Sequence, residues 1–172
     1  MNNSNTVSTL YKKLIEEGTV IEDNGQLDAI SALDNLYTQI NTNTYFRNIF
    51  SSKKNMGVYI YGNVGRGKSY IMDLFYKLVQ DKRCMRVHQH DFMKKARLSN
   101  NKNPLKFAID KLIKDINILC FDEFEVLDVA DAMILERIYQ ILFKKNIKVV
   151  LTSNTSPSNL YRNGLQRESF MP

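Results

Sequence analysis

The sequence predicts an α/β fold in which helices cover both faces of a parallel β-sheet. Short apolar segments recur along the chain, and each has the length of a buried strand: residues 58–61, 85–89, 116–121 and 147–151. Between them lie longer segments whose apolar residues recur at helical spacing. Glycine-rich or polar residues follow several of the strands, at the edge where open parallel sheets bind ligands. Strands that alternate with helices in this way are typical of three-layer α/β domains.

The helices that this spacing predicts span residues 9–17, 26–50, 68–80, 91–98, 105–114 and 126–144. We expect Leu27 of the second helix, and Val129 and Met133 of the last helix, to face the core. His88 and His90 stand two residues apart at the end of the second strand, so both are expected on one side of it. A third ligand is not found near these histidines, so the pair does not predict a metal site.

Composition and charge fit one soluble, cytoplasmic domain. The chain has 172 residues, of which 44% are hydrophobic and 24% are charged, and it has no apolar stretch long enough to span a membrane. The two cysteines do not form a disulfide framework and are typical of a reducing compartment. The net charge of +6 is dispersed along the chain, so we do not expect a nucleic-acid partner.

The segment after the first strand has the pattern of a phosphate-binding loop, G-x-x-x-x-G-K-S. Its glycines allow a tight turn that directs backbone N–H groups inward, where they can bind an anion. The helix that follows would point its positive end at the same place. We expect Lys68 to reach the β- and γ-phosphates and the Ser69 hydroxyl to bind Mg²⁺. The predicted nucleotide-binding residues are Gly62, Asn63, Val64, Gly65, Arg66, Gly67, Lys68 and Ser69.

Two further strands end in polar residues that suit the hydrolysis of a phosphate bond. The third strand is followed by Asp122 and Glu123. In a nucleotidase, Asp122 would hold Mg²⁺ and Glu123 would accept a proton from the attacking water. Asn154 follows the fourth strand, and in this order of motifs it is placed to orient that water. Gln26, near the start of the second helix, is a candidate for contact with the adenine base, and its alternative role is helix capping.

Several motifs together resemble the ZapE family of AAA+ ATPases and its mitochondrial relatives. In chain order they are GNVGRGKS, LCFDEF, DVADAMIL, LTSN and LYRNGLQRESFMP. The segment RVHQHDFM, at residues 86–93, is similar to that family's R-x-H-F-H-x-F-M. Asp23-x-x-Gln26 before a leucine-rich helix also matches, and the resemblance extends from about Gly18 to Pro172.

The resemblance implies a P-loop NTPase core of the AAA+ type, with four parallel strands in the order 1-4-3-2. Residues 1–50 would form an N-terminal helical segment and residues 51–172 a C-terminally truncated ATPase core. The implied activity is Mg²⁺-dependent ATP hydrolysis. Asp122 and Glu123 match the family's Walker B motif, Asn154 matches its first sensor, and Arg167 matches the position of an arginine finger that reaches a neighbouring subunit.

The resemblance also implies self-association into an oligomer and a role in bacterial cell division beside the tubulin-like ring protein. This chain departs from the family pattern in two places. Residues 94–97 lack the histidine that the family usually carries there. The last core strand and the helical lid of the family are not expected in this chain, which would leave the first strand at an edge of the sheet.

Three alternative functions stay open. A nucleotide-binding remnant without turnover would act only as an interaction partner, and the expected lack of a lid favours it. A small-molecule P-loop kinase fits less well, because adjacent Asp122 and Glu123 suit water activation. A helicase-loader-like AAA+ protein is compatible with the basic charge balance.

Overall fold

Four parallel strands form one sheet, which the predicted α/β class requires. The structure is a computed structural model that describes residues 5–41, 56–97, 109–162, 164 and 167. The strands are β1 (Gly57–Tyr61), β2 (Cys84–His88), β3 (Ile118–Asp122) and β4 (Lys148–Ser153). They lie in the order β1-β4-β3-β2, which confirms the predicted order 1-4-3-2. In the described part of the chain, β1 and β2 are therefore the two edge strands.

Helices occupy the segments between and before the strands. They are α1 (Val7–Glu16), α2 (Asn24–Asn41), α3 (Lys68–Val79), α4 (Gln89–Arg97) and α5 (Val129–Lys144), and residues 109–112 add one helical turn. The helix predicted at 26–50 begins earlier, at Asn24. Its residues 42–50, and residues 98 and 105–108 of two other predicted helices, lie outside the described residues.

Alternation along the strands separates two hydrophobic clusters, one on each face of the sheet. Ile118, Cys120 and Val150 pack on one face, with side chains of α1, α2 and α3. Leu119, Phe121, Val149 and Leu151 pack on the other face, with side chains of α4, α5 and the 109–113 turn. Helices thus cover both faces, which confirms the three-layer prediction. The helices α1 and α2 share one cluster with α3, and the predicted boundary at residue 50 stays a prediction.

The predicted placement of the two histidines is wrong. His88 is the last residue of β2, but His90 belongs to α4, which begins at Gln89. The helix starts this early because the buried Gln89 amide is held from both sides. Its Nε2 donates to the Glu125 carbonyl at 2.6 Å, and its Oε1 accepts from the Glu125 N–H at 2.8 Å. The chain therefore turns into α4 directly after β2, and the two imidazoles lie on different elements.

The start of α5 and two of its side chains also differ from the prediction. The helix begins at Val129, three residues later than expected, because Asp128 caps it by accepting a hydrogen bond from the Asp131 N–H at 2.8 Å. Val129 and Met133 are 36% and 43% exposed, and Leu27 of α2 is 37% exposed, so these three side chains do not face the core. The buried stripe of α5 is Ala132, Leu135, Ile138 and Leu142.

The described residues contain neither a membrane-spanning helix nor a disulfide bond. No helix within the described ranges is long and apolar enough to cross a membrane. Cys84 and Cys120 are both free thiols.

Candidate nucleotide site

The glycine-rich loop connects β1 to α3, as the sequence predicts. Gly65 and Gly67 have φ values of 80° and 76°, a left-handed conformation that side-chain-bearing residues rarely adopt. Gly67 precedes the first helical residue, Lys68, so the unpaired N–H groups at the start of α3 face the loop. A helix that begins in this way attracts an anion through those N–H groups and through its dipole.

Lys68 points back over the loop. Its Nζ donates to the carbonyl oxygens of Gly62 at 2.7 Å and Asn63 at 2.8 Å. Burial lowers the pKa of this ammonium, because the low-dielectric surroundings disfavour its charged form. The structure thus places one positive charge at the mouth of the loop, where the sequence expects it.

The loop forms one wall of a cavity of 360 Å³ at the carboxyl edge of the sheet. Parallel strands bring the ends of β3 and β4 to this edge together with the end of β1. Polar groups from three separate parts of the sequence therefore face one volume. The lining residues are Val64, Gly65, Gly67, Lys68, Ser69, Tyr70, Glu123, Thr152, Ser153 and Asn154.

Asp122 ends β3 and is 6% exposed. Arg86 of β2 holds both of its carboxylate oxygens: Nε donates to Oδ2 at 2.7 Å, and Nη2 donates to Oδ1 at 3.3 Å. A third contact, from the Thr152 hydroxyl to Oδ1, is long at 3.5 Å. The buried charge of Asp122 is therefore balanced chiefly by one guanidinium.

Glu123 has a different environment from its neighbour Asp122. Its backbone is left-handed, with a φ of 56°, and its N–H donates to the Thr152 hydroxyl at 3.2 Å. This turn directs the side chain away from the core, so that it is 76% exposed. Its Oε2 lies 3.9 Å from His88 Nδ1. The two adjacent acids thus differ in their surroundings: Asp122 is buried in an ion pair with Arg86, whereas Glu123 is exposed to solvent at the cavity.

The oxygen donors at this edge fit a hard cation such as Mg²⁺. The exposed Ser69 hydroxyl lines the 360 Å³ cavity, and Asp122, at the end of β3, lines a neighbouring cavity of 680 Å³ that shares Glu123 and Asn154 with the first. Within the described ranges, no cluster of three or more His, Cys, Asp or Glu side chains could hold a metal ion. Mg²⁺ is usually bound by one or two protein oxygens together with substrate phosphates, so Ser69 and Asp122 are the groups that would hold it here.

Gln26 lies against the phosphate loop. Its Nε2 donates to the Arg66 carbonyl at 3.1 Å, and a Cβ on Gly67 would stand 2.6 Å from that nitrogen. Arg66 in turn forms a 2.9 Å ion pair with Asp23, just before α2. A second cavity, of 660 Å³, lies beside β1 and is lined by Gln26 and by the loop residues Gly62, Asn63, Arg66 and Lys68. The N-terminal segment therefore contributes to the surroundings of the loop.

Arg167 lies apart from this arrangement. Its guanidinium donates to the backbone carbonyls of Pro157, Ser158 and Leu160 at 3.4, 2.9 and 3.1 Å. It does not line either cavity beside the loop. Its proposed action on a neighbouring subunit stays a prediction.

Arg86, Thr152 and Gln89 are the site residues that the sequence did not predict. Each acts by holding another group: Arg86 the carboxylate of Asp122, Thr152 the N–H of Glu123, and Gln89 the backbone of Glu125. The segment RVHQHDFM contains two of them and could have indicated their importance. Their partners lie 36 residues away in sequence for Arg86 and Gln89 and 29 residues away for Thr152, so spacing could not identify them.

The sheet order and the glycine-rich loop between β1 and α3 define the class: a P-loop α/β domain of the AAA+ type. Solved structures share this fold. The AMPPCP-bound DnaA of Aquifex aeolicus matches with a TM-score of 0.63 at 17% identity, over 98% of this chain and 47% of that chain. Domain III of the Thermotoga maritima DnaA matches with a TM-score of 0.63 at 18% identity, over 99% of this chain and 65% of that one.

Sequence comparison shows the family within this class. The AFG1-like ATPase family model matches residues 5–172, and the chain belongs to that family. The cell division protein ZapE of Escherichia coli K12 is 35% identical over 97% of this chain and 50% of its own length. Lactation elevated protein 1 homolog B of Danio rerio is 42% identical over 67% of this chain and 26% of its own length. The chain thus spans half or less of the length of these relatives.

Proposed function

We propose that this chain binds ATP with Mg²⁺ and hydrolyses it, as an ATPase module of the ZapE type. The observation that carries the proposal is the 360 Å³ cavity, since the phosphate loop, Glu123 and Asn154 all line it. Phosphate-binding groups and a carboxylate that can act as a base therefore share one volume. The membership in the AFG1-like ATPase family supports the same reaction.

The loop and the start of α3 would bind the phosphates. Backbone N–H groups at Gly67 and the first turn of α3 would donate to phosphate oxygens, and Lys68 would add a positive charge. Desolvation strengthens the attraction between this ammonium and an anion. Lys68 Nζ donates to the Gly62 and Asn63 carbonyls in this structure. When ATP binds, it would donate to charged phosphate oxygens instead.

Glu123 is the proposed general base, and Asn154 the residue that orients the water. The Glu123 carboxylate is exposed, so it can take a proton from a water that attacks the γ-phosphate. The Asn154 amide lines the same cavity and can hold that water in line. Mg²⁺, when bound beside Ser69 and Asp122, would neutralise charge on the phosphates.

Partners and location belong to the same proposal. Self-association would let Arg167 reach a neighbour's phosphates, once it leaves the carbonyls of the 157–160 turn. A role in cell division is supported by the 35% identity to the Escherichia coli cell division protein ZapE. A tubulin-like ring protein as partner and a location in the cytoplasm are proposed together with that role. DnaA-like proteins are similar at 17–18% identity, which supports only the fold, so no nucleic-acid partner is proposed.

The variant Glu123→Gln tests the reaction. The amide keeps the shape of the side chain but cannot accept the proton, so we expect ATP binding close to wild type and phosphate release reduced by at least about 100-fold. Binding is measured with a fluorescent ATP analogue and turnover by phosphate release, over a range of protein concentrations. If the wild-type turnover number per chain rises with protein concentration, a second subunit contributes to the reaction.

Lys68→Ala is the matched control for binding. Removal of the loop's ammonium should abolish the rise in melting temperature that ATP produces, which at a hundredfold excess over Kd corresponds to about 2.7 kcal/mol. An unchanged melting shift in this variant would contradict the site. ATP binding without turnover in the wild-type chain at any concentration would instead favour the alternative function, a nucleotide-binding interaction partner.

A further inference from the structure

Arg86 joins three elements of the site. Its Nε and Nη2 donate to the two carboxylate oxygens of Asp122, which ties β2 to the end of β3. Its Nη1 donates to Asp73 Oδ1 on α3, the helix that starts at the phosphate loop. A single guanidinium therefore connects the strand that ends in the candidate metal-binding carboxylate to the helix that carries Lys68 and Ser69.

The inner part of this network is shielded from water. The side chains of Asp122 and Arg86 are 9% and 20% exposed, whereas Asp73 is 49% exposed. An arginine guanidinium is not deprotonated in proteins, and here it has a carboxylate partner on each side, Asp122 and Asp73. Arg86 thus stays charged, and because a planar guanidinium that holds both carboxylate oxygens fixes the plane of the carboxylate, Asp122 is held in one orientation.

We propose that Arg86 is a positioning residue for Mg²⁺-nucleotide binding, since it fixes the carboxylate of Asp122 and links it to α3. This inference rests on the proposed function, because it assigns a role within the same site. The long 3.5 Å contact from Thr152 cannot orient Asp122 by itself. Partners that orient a metal-supporting group typically contribute 10–100-fold to metal affinity.

The variant Arg86→Lys separates the positioning of Asp122 from the positive charge beside it. Lysine keeps the positive charge, but its single nitrogen cannot hold both oxygens of Asp122 and also reach Asp73. Nucleotide affinity should be measured with Mg²⁺ and with a chelator, using a fluorescent ATP analogue. In Arg86→Lys we expect the affinity without Mg²⁺ to stay within about twofold of wild type, because the loop and Lys68 are untouched. The enhancement that Mg²⁺ produces should fall by about tenfold.

Two further variants keep the result interpretable. Arg83→Lys makes the same change at an exposed turn just before β2 and should alter neither affinity. Asp73→Asn leaves the Arg86–Asp122 pair intact but weakens its link to α3, so it should reduce the Mg²⁺ enhancement less than Arg86→Lys does. This second variant also serves if Arg86→Lys does not fold, which its melting curve would reveal. An unchanged enhancement in Asp73→Asn would overturn the link to α3.

The positioning role is wrong if folded Arg86→Lys keeps the full Mg²⁺ enhancement, or if it loses affinity equally with and without Mg²⁺, as a purely structural defect would. A wild-type chain that binds ATP with no effect of Mg²⁺ would overturn this inference and leave nucleotide binding standing. A wild-type chain that binds no ATP would overturn the proposed function and this inference together.

Discussion

Gln26 carries an amide oxygen for which the described residues supply no hydrogen-bond donor. Its Nε2 is fixed by the Arg66 carbonyl, while the buried Oε1 has no partner. A buried acceptor without a hydrogen bond lowers the stability of the fold, and a ligand or a water molecule commonly donates to such an atom. The side chain lines the 660 Å³ cavity beside Lys68, so we propose that Oε1 accepts from the exocyclic amine of adenine.

Base selectivity tests this proposal. Guanine carries a carbonyl where adenine carries the amine, so Gln26→Leu should reduce the preference for ATP over GTP about three- to tenfold, the equivalent of one hydrogen bond. Gln26→Glu keeps acceptor oxygens and should retain more of the preference, although it also loses the donor to Arg66. Competition binding measures both ratios. An ATP/GTP ratio in Gln26→Leu equal to wild type would exclude base contact and leave Gln26 as a structural support of the loop.

At the scale of single residues, the sequence predicted the site residues that are contiguous in the chain. It missed the contacts between residues that only folding brings together. The phosphate loop is one uninterrupted segment whose glycines and lysine have a local reason to stand together, and its place between β1 and α3 is confirmed. Arg86 meets Asp122 only because β2 and β3 pair in register, with Arg86 opposite Cys120 and His88 opposite Asp122. No spacing rule gives that pairing from sequence.

Among the helices, α1 depends on a carboxylate from a different helix. Asp34 of α2 accepts hydrogen bonds from the N–H groups of Val7 at 2.7 Å and Ser8 at 3.2 Å, and from the Ser8 hydroxyl. These N–H groups belong to the first turn of α1, where unpaired donors and the helix dipole favour negative charge. The same turn buries Val7 against the core, so Asp34 fixes the position at which α1 packs.

Asp34→Ala should therefore destabilise the protein by about 1–3 kcal/mol, because it removes a charged acceptor and leaves donors beside a buried turn. Urea unfolding measures this loss. Relative to wild type, amide hydrogen exchange in the variant should accelerate more in α1 than in β3. Asp28→Ala, at an exposed position on the same helix, is the matched control and should change stability by less than about 0.5 kcal/mol. Equal effects of the two substitutions would show that Asp34 does not anchor α1.

Helix existence was easier to predict than helix ends. Apolar spacing predicted α5, yet its start was placed too early because Val126 and Leu127 continue the hydrophobic pattern. The chain before Val129 is instead held by Gln89 at Glu125 and capped by Asp128. Asp128 has apolar neighbours on both sides, so the apolar pattern alone does not mark it as the cap. The backbone contacts of the preceding residues are needed to place the start of the helix.

For the whole molecule, sheet order follows from the resemblance to AAA+ ATPases, and the structure confirms it. Periodicity alone predicts strands and faces but not which strands pair, because parallel pairing joins segments far apart in sequence. The strand β3 is buried at all five positions, as expected at the centre of the sheet, whereas only Ile60 of β1 is buried. The phosphate loop therefore follows an edge strand with little burial, and the other edge strand, β2, has no buried position.

Hydrogen exchange can test whether β1 is an exposed edge. The Gly62 N–H donates to the Ser153 carbonyl, so by the alternation of a parallel ladder the N–H of Ile60 also faces β4, and those of Tyr59 and Tyr61 face the opposite edge. Within the described residues no strand pairs with that edge. In a dilute monomer, we expect Tyr59 and Tyr61 to exchange at least about tenfold faster than Ile60, which serves as the internal reference.

An unpaired edge of uncharged, β-prone residues also favours association between chains. Residues 58–61 carry no charge, and Tyr61 is 57% exposed. If chains associate through this edge, protection of the Tyr59 and Tyr61 amides should increase with protein concentration, while that of Cys120 in the central strand β3 stays constant. Exchange of Tyr59 and Tyr61 as slow as that of Cys120 in a dilute monomer would mean that another part of the chain already covers β1.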